Sequence, residues 1–202
     1  MLFSIGHSNH PFERFLELLR RHGIEAVADV RSTPASRRHP QYNRERLKAA
    51  LEGNGIRYLF LGKELGARRT EPEAYEGGGA SYERIARLPA FRSGLEIVQE
   101  NAAERRTALM CAEKEPLDCH RTLLVCRHLR GAVEGGIFHI LADGTLQAHS
   151  AVEQRLVADT GASEAQPDLF ACENEAPLER AYRELGLAIA YRKKPAGDIN
   201  RG

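Results

Sequence analysis

Apolar and polar positions follow two different periods along this chain. Five short, mostly apolar runs are of strand length: LFSIG (2–6), IEAVADV (24–30), IRYLFLG (56–62), TALMCAE (107–113) and IFHIL (137–141). They lack the strict alternation of a half-exposed strand, which predicts strands covered on both faces. Between them, apolar residues recur at helical spacing. In PFERFLELLRRHG, Phe12, Phe15, Leu16 and Leu19 share a face, Pro11 stands near the start and Gly23 just past the end, the expected helix punctuation. NRERLKAALEGNG (43–55), the segments SYERIARL and AFRSGLEIVQENAAERR on either side of Pro89, and CHRTLLVCRHLRG, stopped by Gly131, also read as helices. Residues 66–80, with EGGG, read as a loop, and Asp143-Gly144 as a turn.

Strands alternating with helices predict an α/β fold: a single Rossmann-like three-layer domain over residues 1–150, with a mostly parallel five-stranded sheet. The expected strand order is 3-2-1-4-5. Residues 151–202 read as an acidic linker and a C-terminal helical extension, with one helix over 177–186, packed on the domain or tethered to it. The apolar fraction of 42% over 202 residues is enough for such a core. No apolar run reaches the ~18 residues of a membrane-spanning helix, and the start MLFSIGHSNH lacks the basic and apolar regions of a signal peptide. The chain is therefore expected in the cytoplasm, with no membrane partner. Cys111, Cys119, Cys126 and Cys172 are too few for a disulfide scaffold and would remain thiols in a reducing compartment.

Charge changes this picture locally. Residues 31–48 carry Arg31, Arg37, Arg38, Arg44, Arg46 and Lys48 against Glu45 alone, whereas 151–180 carry seven acids against Arg155 and Arg180. The basic run is either a solvated face in an arginine-rich sequence or an anion site, since the guanidinium fork suits phosphate.

In open parallel sheets, ligands bind beyond the carboxyl ends of the strands. Four predicted strand ends carry reactive or polar residue types: Gly6-His7-Ser8-Asn9; Asp29 and Arg31 with Ser36-Arg37-Arg38; Gly62-Lys63-Glu64-Leu65-Gly66; and Cys111, Glu113, Cys119, His120 and Arg121. Each has a purely structural reading too. His7 can cap a helix, Arg31 can pair with Asp29 or Glu113, and Cys111 and Cys119 can be core thiols. Asp118 is an ordinary N-cap. His120 and Arg121 oppose the dipole of the helix they open, which suggests a bound anion or a carboxylate partner.

At IGHSN, DVRSTPASRR, GIRYLFLGKELG, CAEKEPLDCHR and FHILADG the chain resembles the bacterial and archaeal family known as domain of unknown function 488, over roughly residues 1–145. The resemblance singles out the His7-Ser8-Asn9 turn, Asp29 and Arg31, Ser36-Arg37, Gly62, Leu65-Gly66, Cys111 with Glu113, and Cys119-His120-Arg121. It implies no reaction. Ala67 stands where the family commonly has a second glycine.

These residues support three functional expectations. The first is an enzyme acting on a phosphate-bearing substrate, a nucleotide or nucleic acid. Arg31, Arg37, Arg38, Arg121 and Asn9 would bind the anion, His7 or His120 would act as acid or base, Asp29 and Glu113 would orient them, and Cys119 would be a nucleophile. No Cys-x5-Arg phosphatase loop is present. The second is a metal site on Cys111, Cys119 and His120, with Glu113, although the C-x7-C-H spacing lacks the tight pairs of structural zinc sites. The third is a non-catalytic module that uses the arginines to bind nucleic acid or a protein partner. Gln166-Pro167-Asp168-Leu169-Phe170 resembles the short peptide that docks in the DNA sliding clamp, with Gln166, Leu169 and Phe170 as contacts and Pro167 as a departure. The sequence points to no particular cofactor.

Overall fold

The structure is a computed structural model and describes residues 1–162 and 175–193. In chain order, β1 (Leu2–Gly6) leads into α1 (Phe12–Arg21), β2 (Ala26–Asp29), α2 (Arg44–Glu52) and β3 (Arg57–Phe60). Then come the one-turn α3 (Gly62–Leu65), a small hairpin of β4 (Tyr75–Glu76) and β5 (Gly79–Ala80), α4 (Tyr82–Ile85) and α5 (Pro89–Glu104). The central strand β6 (Thr107–Cys111) is followed by a π-helical turn at Arg121–Cys126 that continues into α6 (Arg127–Leu129). β7 (Ile137–Ile140), β8 (Leu146–Ala148), α7 (His149–Thr160) and α8 (Pro177–Ile189) close the fold. Pro89 marks the first turn of α5, where its missing N–H costs nothing.

The main sheet has six strands in the order β3-β2-β6-β1-β7-β8, all parallel except β8, which pairs antiparallel with β7. This corrects two expectations. The sheet gains a sixth strand, three residues long and partly exposed, too short for its pattern to register. And β6 lies between β2 and β1, where the order 3-2-1-4-5 had β1 beside β2. Both β1 and β6 are buried along their whole length, so hydrophobicity could not rank which is more central.

α1 and α2 pack on one face, against Phe3, Ile5, Val27, Ala108 and Met110. α5, the Arg121–Leu129 helix, α7 and α8 cover the other face with Leu2, Ala28 and Leu109. The chain thus moves outward under one layer and returns under the other, as right-handed crossovers require. The connections after β1 and β6 leave toward opposite faces, which opens a crevice at their carboxyl ends.

The C-terminal extension packs on the domain, for Val152, Leu156, Ala181 and Tyr182 are all buried in its core. The stretch 66–80, read as a loop, contains the β4–β5 hairpin, and the chain after α8 is tied to it: the Ala80 amide donates to Tyr191 O at 2.8 Å and the Lys193 amide to Gly78 O at 3.1 Å. No helix among the described residues is long and apolar enough to cross a membrane.

Candidate functional site

A cavity of about 600 Å³ opens at the carboxyl ends of β1, β2 and β6. β1 delivers His7, β2 delivers Arg31, and β6 delivers Cys111 and Glu113; His120 arrives from the start of the following helix. The β1 and β6 ends approach closely. The His7 and Ser8 amides donate to Cys111 O and Ala112 O, each at 2.9 Å, extending the ladder past the strand ends. A side chain at Gly6 would put its Cβ 1.8 Å from Glu113 O, so only glycine lets the two strand ends lie this close.

Arg31 is locked in place from several sides. Its Nε and Nη2 donate to the two carboxylate oxygens of fully buried Asp29 at 2.9 and 2.6 Å. Nη2 also donates to Tyr42 O at 2.8 Å, and Nη1 meets His7 Nε2 at 3.2 Å. Asp29 further accepts from the Arg31 amide and from Tyr58 Oη. Because a guanidinium only donates, His7 Nε2 is the unprotonated nitrogen, and Nδ1–H donates to Ser8 O at 2.8 Å. Burial, then the Arg31 charge, pull the His7 pKa from 6.5 down to about 4. The imidazole stacks on Tyr42 at 4.0 Å between ring centres. Four of the five guanidinium N–H groups are therefore engaged. The fifth, on Nη1, has no partner among the described residues and belongs to a side chain that lines the cavity.

The second group is built on sulfur. Cys111 Sγ and Cys119 Sγ lie 3.8 and 3.9 Å from His120 Nδ1. His120 Nε2 pairs with Val30 O at 3.0 Å. A carbonyl only accepts, so Nε2 carries the proton and Nδ1 turns toward the sulfurs. Cys119 Sγ sits 3.0 Å from Glu113 Oε2 and accepts from the Arg121 amide at 3.4 Å. Burial works to raise the Cys119 thiol, but the Cys111 hydrogen bond, Arg121 and His120 outweigh it and hold Cys119 well below the ordinary range. Cys111 is pushed well above it, first by burial and then by Cys119. Burial would lower His120, yet Cys119 and Glu113 raise it overall. Cys111, Glu113 and His120 line the cavity, with Cys119 behind them.

Arg121 lies beneath this group and is 1% exposed. Nη1 donates to Glu113 O at 2.7 Å and Nη2 to Lys114 O at 3.3 Å, so it clamps the segment that carries Glu113. Its Nε starts a buried chain of hydrogen bonds: to Ser4 Oγ at 3.4 Å, then His139 Nδ1 at 2.7 Å, His149 Nδ1 at 3.0 Å from His139 Nε2, Tyr182 Oη at 3.1 Å from His149 Nε2, and Glu153 Oε1 at 2.8 Å. The carboxylate takes the one Tyr182 proton, so His149 Nε2–H donates to Tyr182, and neutral imidazoles then carry the same direction back through His139 to Ser4. Both histidines are then neutral and protonated on Nε2. Burial, which lowers both their pKa values, favours that state.

The structure thus brings His7, Asp29, Arg31, Glu113, Cys119 and His120 to one place and puts Arg121 under it, paired with carbonyls rather than facing the cavity. Asn9, Arg37 and Arg38 do not line the cavity; both arginines are exposed, between the lining residues Ser36 and His39. Gln166, Leu169, Phe170 and Cys172 lie outside the described residues. Sequence reasoning missed Arg68, Tyr82 and Tyr191, which also line the cavity. Arg68 lies 4.8 Å over the Tyr191 ring. Nothing in the local pattern marks Tyr191, which takes its place only where the C-terminal segment meets the hairpin.

A family model described as domain of unknown function DUF488 matches residues 11–127. That stretch contains Asp29, Arg31, the whole sulfur–histidine group, Arg68 and Tyr82, and leaves out His7 and Tyr191. No curated protein and no solved structure matches the chain.

Proposed function

The chain belongs to the family of domain of unknown function DUF488, and from the site it builds on that domain we propose that it is an enzyme acting on a phosphate-bearing substrate of nucleotide size. The observation that carries this reading is the convergence, on one cavity, of a rigid guanidinium with one N–H unspent and a group of Cys111, Glu113 and His120 that can hold or move protons. A volume of about 600 Å³ falls within the ~300–1,000 Å³ typical of small-molecule sites. Arg31 offers the phosphate a directed N–H, with Arg68 at the cavity wall and Arg37 and Arg38 in the exposed loop beside it to attract it. Glu113 is the base that reaches the cavity. His7 and Asp29 act through Arg31 as positioning residues, since their lone pairs are already committed to it.

Thermal unfolding with inorganic phosphate, mononucleotides and the matching nucleosides tests this. Ligand at 100 times Kd stabilises by ~2.7 kcal/mol, and ~2–4 °C per kcal/mol for a domain of this size makes the rise in Tm ~5–10 °C. Mononucleotides should raise Tm and nucleosides should not, and Arg68→Ala should weaken the effect. Equal response to nucleosides and nucleotides, or none to either at millimolar concentration, overturns the reading.

A further inference from the structure

We propose that Cys111, Cys119 and His120 hold a divalent zinc-class ion at the floor of the cavity, its fourth position open toward Glu113 and the substrate. This deepens the enzyme reading and rests on it only for the use made of the ion.

The two Sγ atoms and His120 Nδ1 all lie within 4.8 Å of one another, and this is the only such trio of potential ligands among the described residues. With Zn–S ~2.3 Å and Zn–N ~2.0 Å, a tetrahedral site puts sulfur and nitrogen ~3.5–3.6 Å apart. The observed 3.8 and 3.9 Å are within a few tenths of an ångström of that, and long for a thiol donating to a ring nitrogen. A single imidazole lone pair cannot serve two thiols well, yet Nδ1 is nearly equidistant from both. One ion placed between the three atoms satisfies all of them.

The surroundings are those of a ligand set. A metal-bound histidine usually donates its other N–H to a carbonyl or carboxylate, which fixes the ring; His120 Nε2 does so with Val30 O at 3.0 Å. The Arg121 amide donates to Cys119 Sγ at 3.4 Å, an N–H that suits a thiolate. Charge agrees. Two thiolates and Glu113 sum to three negative charges against Arg121, and a divalent ion makes the cluster neutral. Cys119 Sγ and Glu113 Oε2, 3.0 Å apart, need either a proton or a cation to share.

The ligand types choose the ion. Thiolates exclude magnesium and calcium and favour zinc, or iron and cobalt of the same charge. Three protein ligands with an open position match a catalytic rather than a structural zinc site. The open side faces the cavity, because Cys111, Glu113 and His120 line it. A water bound there would lose its proton more readily than bulk water, with the Glu113 carboxylate beside it to accept that proton. The ion also gives Cys119 a role that burial denies it as a nucleophile, for its sulfur sits behind the cavity wall at 1% exposure.

The test is elemental analysis of the full chain, reduced, reconstituted with zinc and desalted, beside cobalt substitution followed by absorption. One zinc per chain is expected, together with sulfur-to-cobalt charge-transfer bands and the intense visible bands of tetrahedral cobalt. Cys111→Ser, Cys119→Ser and His120→Gln should each lose the ion, while Cys126→Ser, a buried thiol outside the cluster, should keep it. Far-ultraviolet circular dichroism on each variant separates loss of ligand from loss of fold. Reduced, folded wild type that takes up neither metal overturns the proposal, as do cobalt bands that survive in a Cys111→Ser, Cys119→Ser double variant. Mononucleotide binding without metal would sink this proposal alone, and metal without phosphate recognition would sink the enzyme reading alone.

Discussion

Acidification should unfold this protein partly through His7. Its imidazole accepts from Arg31 Nη1 at 3.2 Å and carries a pKa of about 4 where the unfolded chain has 6.5. Above pH 6.5 both states are neutral at this residue and it adds no pH dependence. Between 6.5 and about 4 the unfolded chain takes up a proton that the folded chain refuses, so stability falls as pH falls. Below about 4 both states are protonated and the loss is complete. At ~1.4 kcal/mol per pH unit, the window costs ~3 kcal/mol. Burial of the imidazole is the larger cause of the lowered pKa and the Arg31 charge the next. Burial lowers the pKa values of His139 and His149 as well, so wild type alone cannot isolate the effect. Urea unfolding at a series of pH values, in wild type and His7→Gln, should give curves whose slopes differ by about one proton across the window and coincide above it. Proton NMR should find the His7 ring still neutral at pH 5.5. A His7 pKa near 6.5, or parallel stability curves, would refute the locked Arg31–His7 pair.

The buried chain from Arg121 to Glu153 predicts that Tyr182→Phe, which orphans His149 Nε2–H, costs ~1–3 kcal/mol, and that Ser4→Ala, which strips both His139 and Arg121, costs more; equilibrium unfolding measures both, and a Ser4→Ala cheaper than Tyr182→Phe contradicts the assigned direction. Asp29→Asn leaves the Arg31 guanidinium buried without its counter-charge and should cost ~3–5 kcal/mol, against ~1 kcal/mol for Tyr58→Phe, which removes one bond to the same carboxylate; a reversed ranking by urea midpoint would show that the pair is solvated. Gly6→Ala drives a methyl into Glu113 O, 1.8 Å from its ideal position, and should destabilise by ~3 kcal/mol or prevent folding; a variant as stable as wild type would mean that the β1 and β6 ends lie further apart.

Much of this architecture was legible because burial on both faces leaves a plain mark. β1, β2 and β6 are mostly apolar runs buried along their whole length, and the helices between them carry a regular apolar face. Sheet order was not legible, for β1 and β6 look alike to any residue pattern and only their crossovers distinguish them. Collecting the residues after each strand found the Asp29–Arg31 pair and the sulfur–histidine group, because the carboxyl edge of a parallel sheet gathers such residues whichever neighbours the strands choose. Tyr191 escaped, since it acquires its place through a backbone bond to a hairpin more than a hundred residues earlier.

Arg121 shows how far residue chemistry carries an inference. A cation in the first turn of a helix opposes the dipole, and that argument led to a bound anion or a carboxylate as its partner. The partners are neutral backbone carbonyls instead. Backbone carbonyls of Glu113 and Lys114 accept from the guanidinium where a phosphate could have, and no local pattern separates the two. Its Nε–H then commits Arg121 to Ser4, two histidines, Tyr182 and Glu153, residues spread from β1 to α8. It follows that the helices after residue 148 are no tether. They hold the far end of the chain of bonds that fixes Arg121, Arg121 fixes the Glu113 carbonyl, and the Glu113 side chain stands at the floor of the cavity beside Cys119.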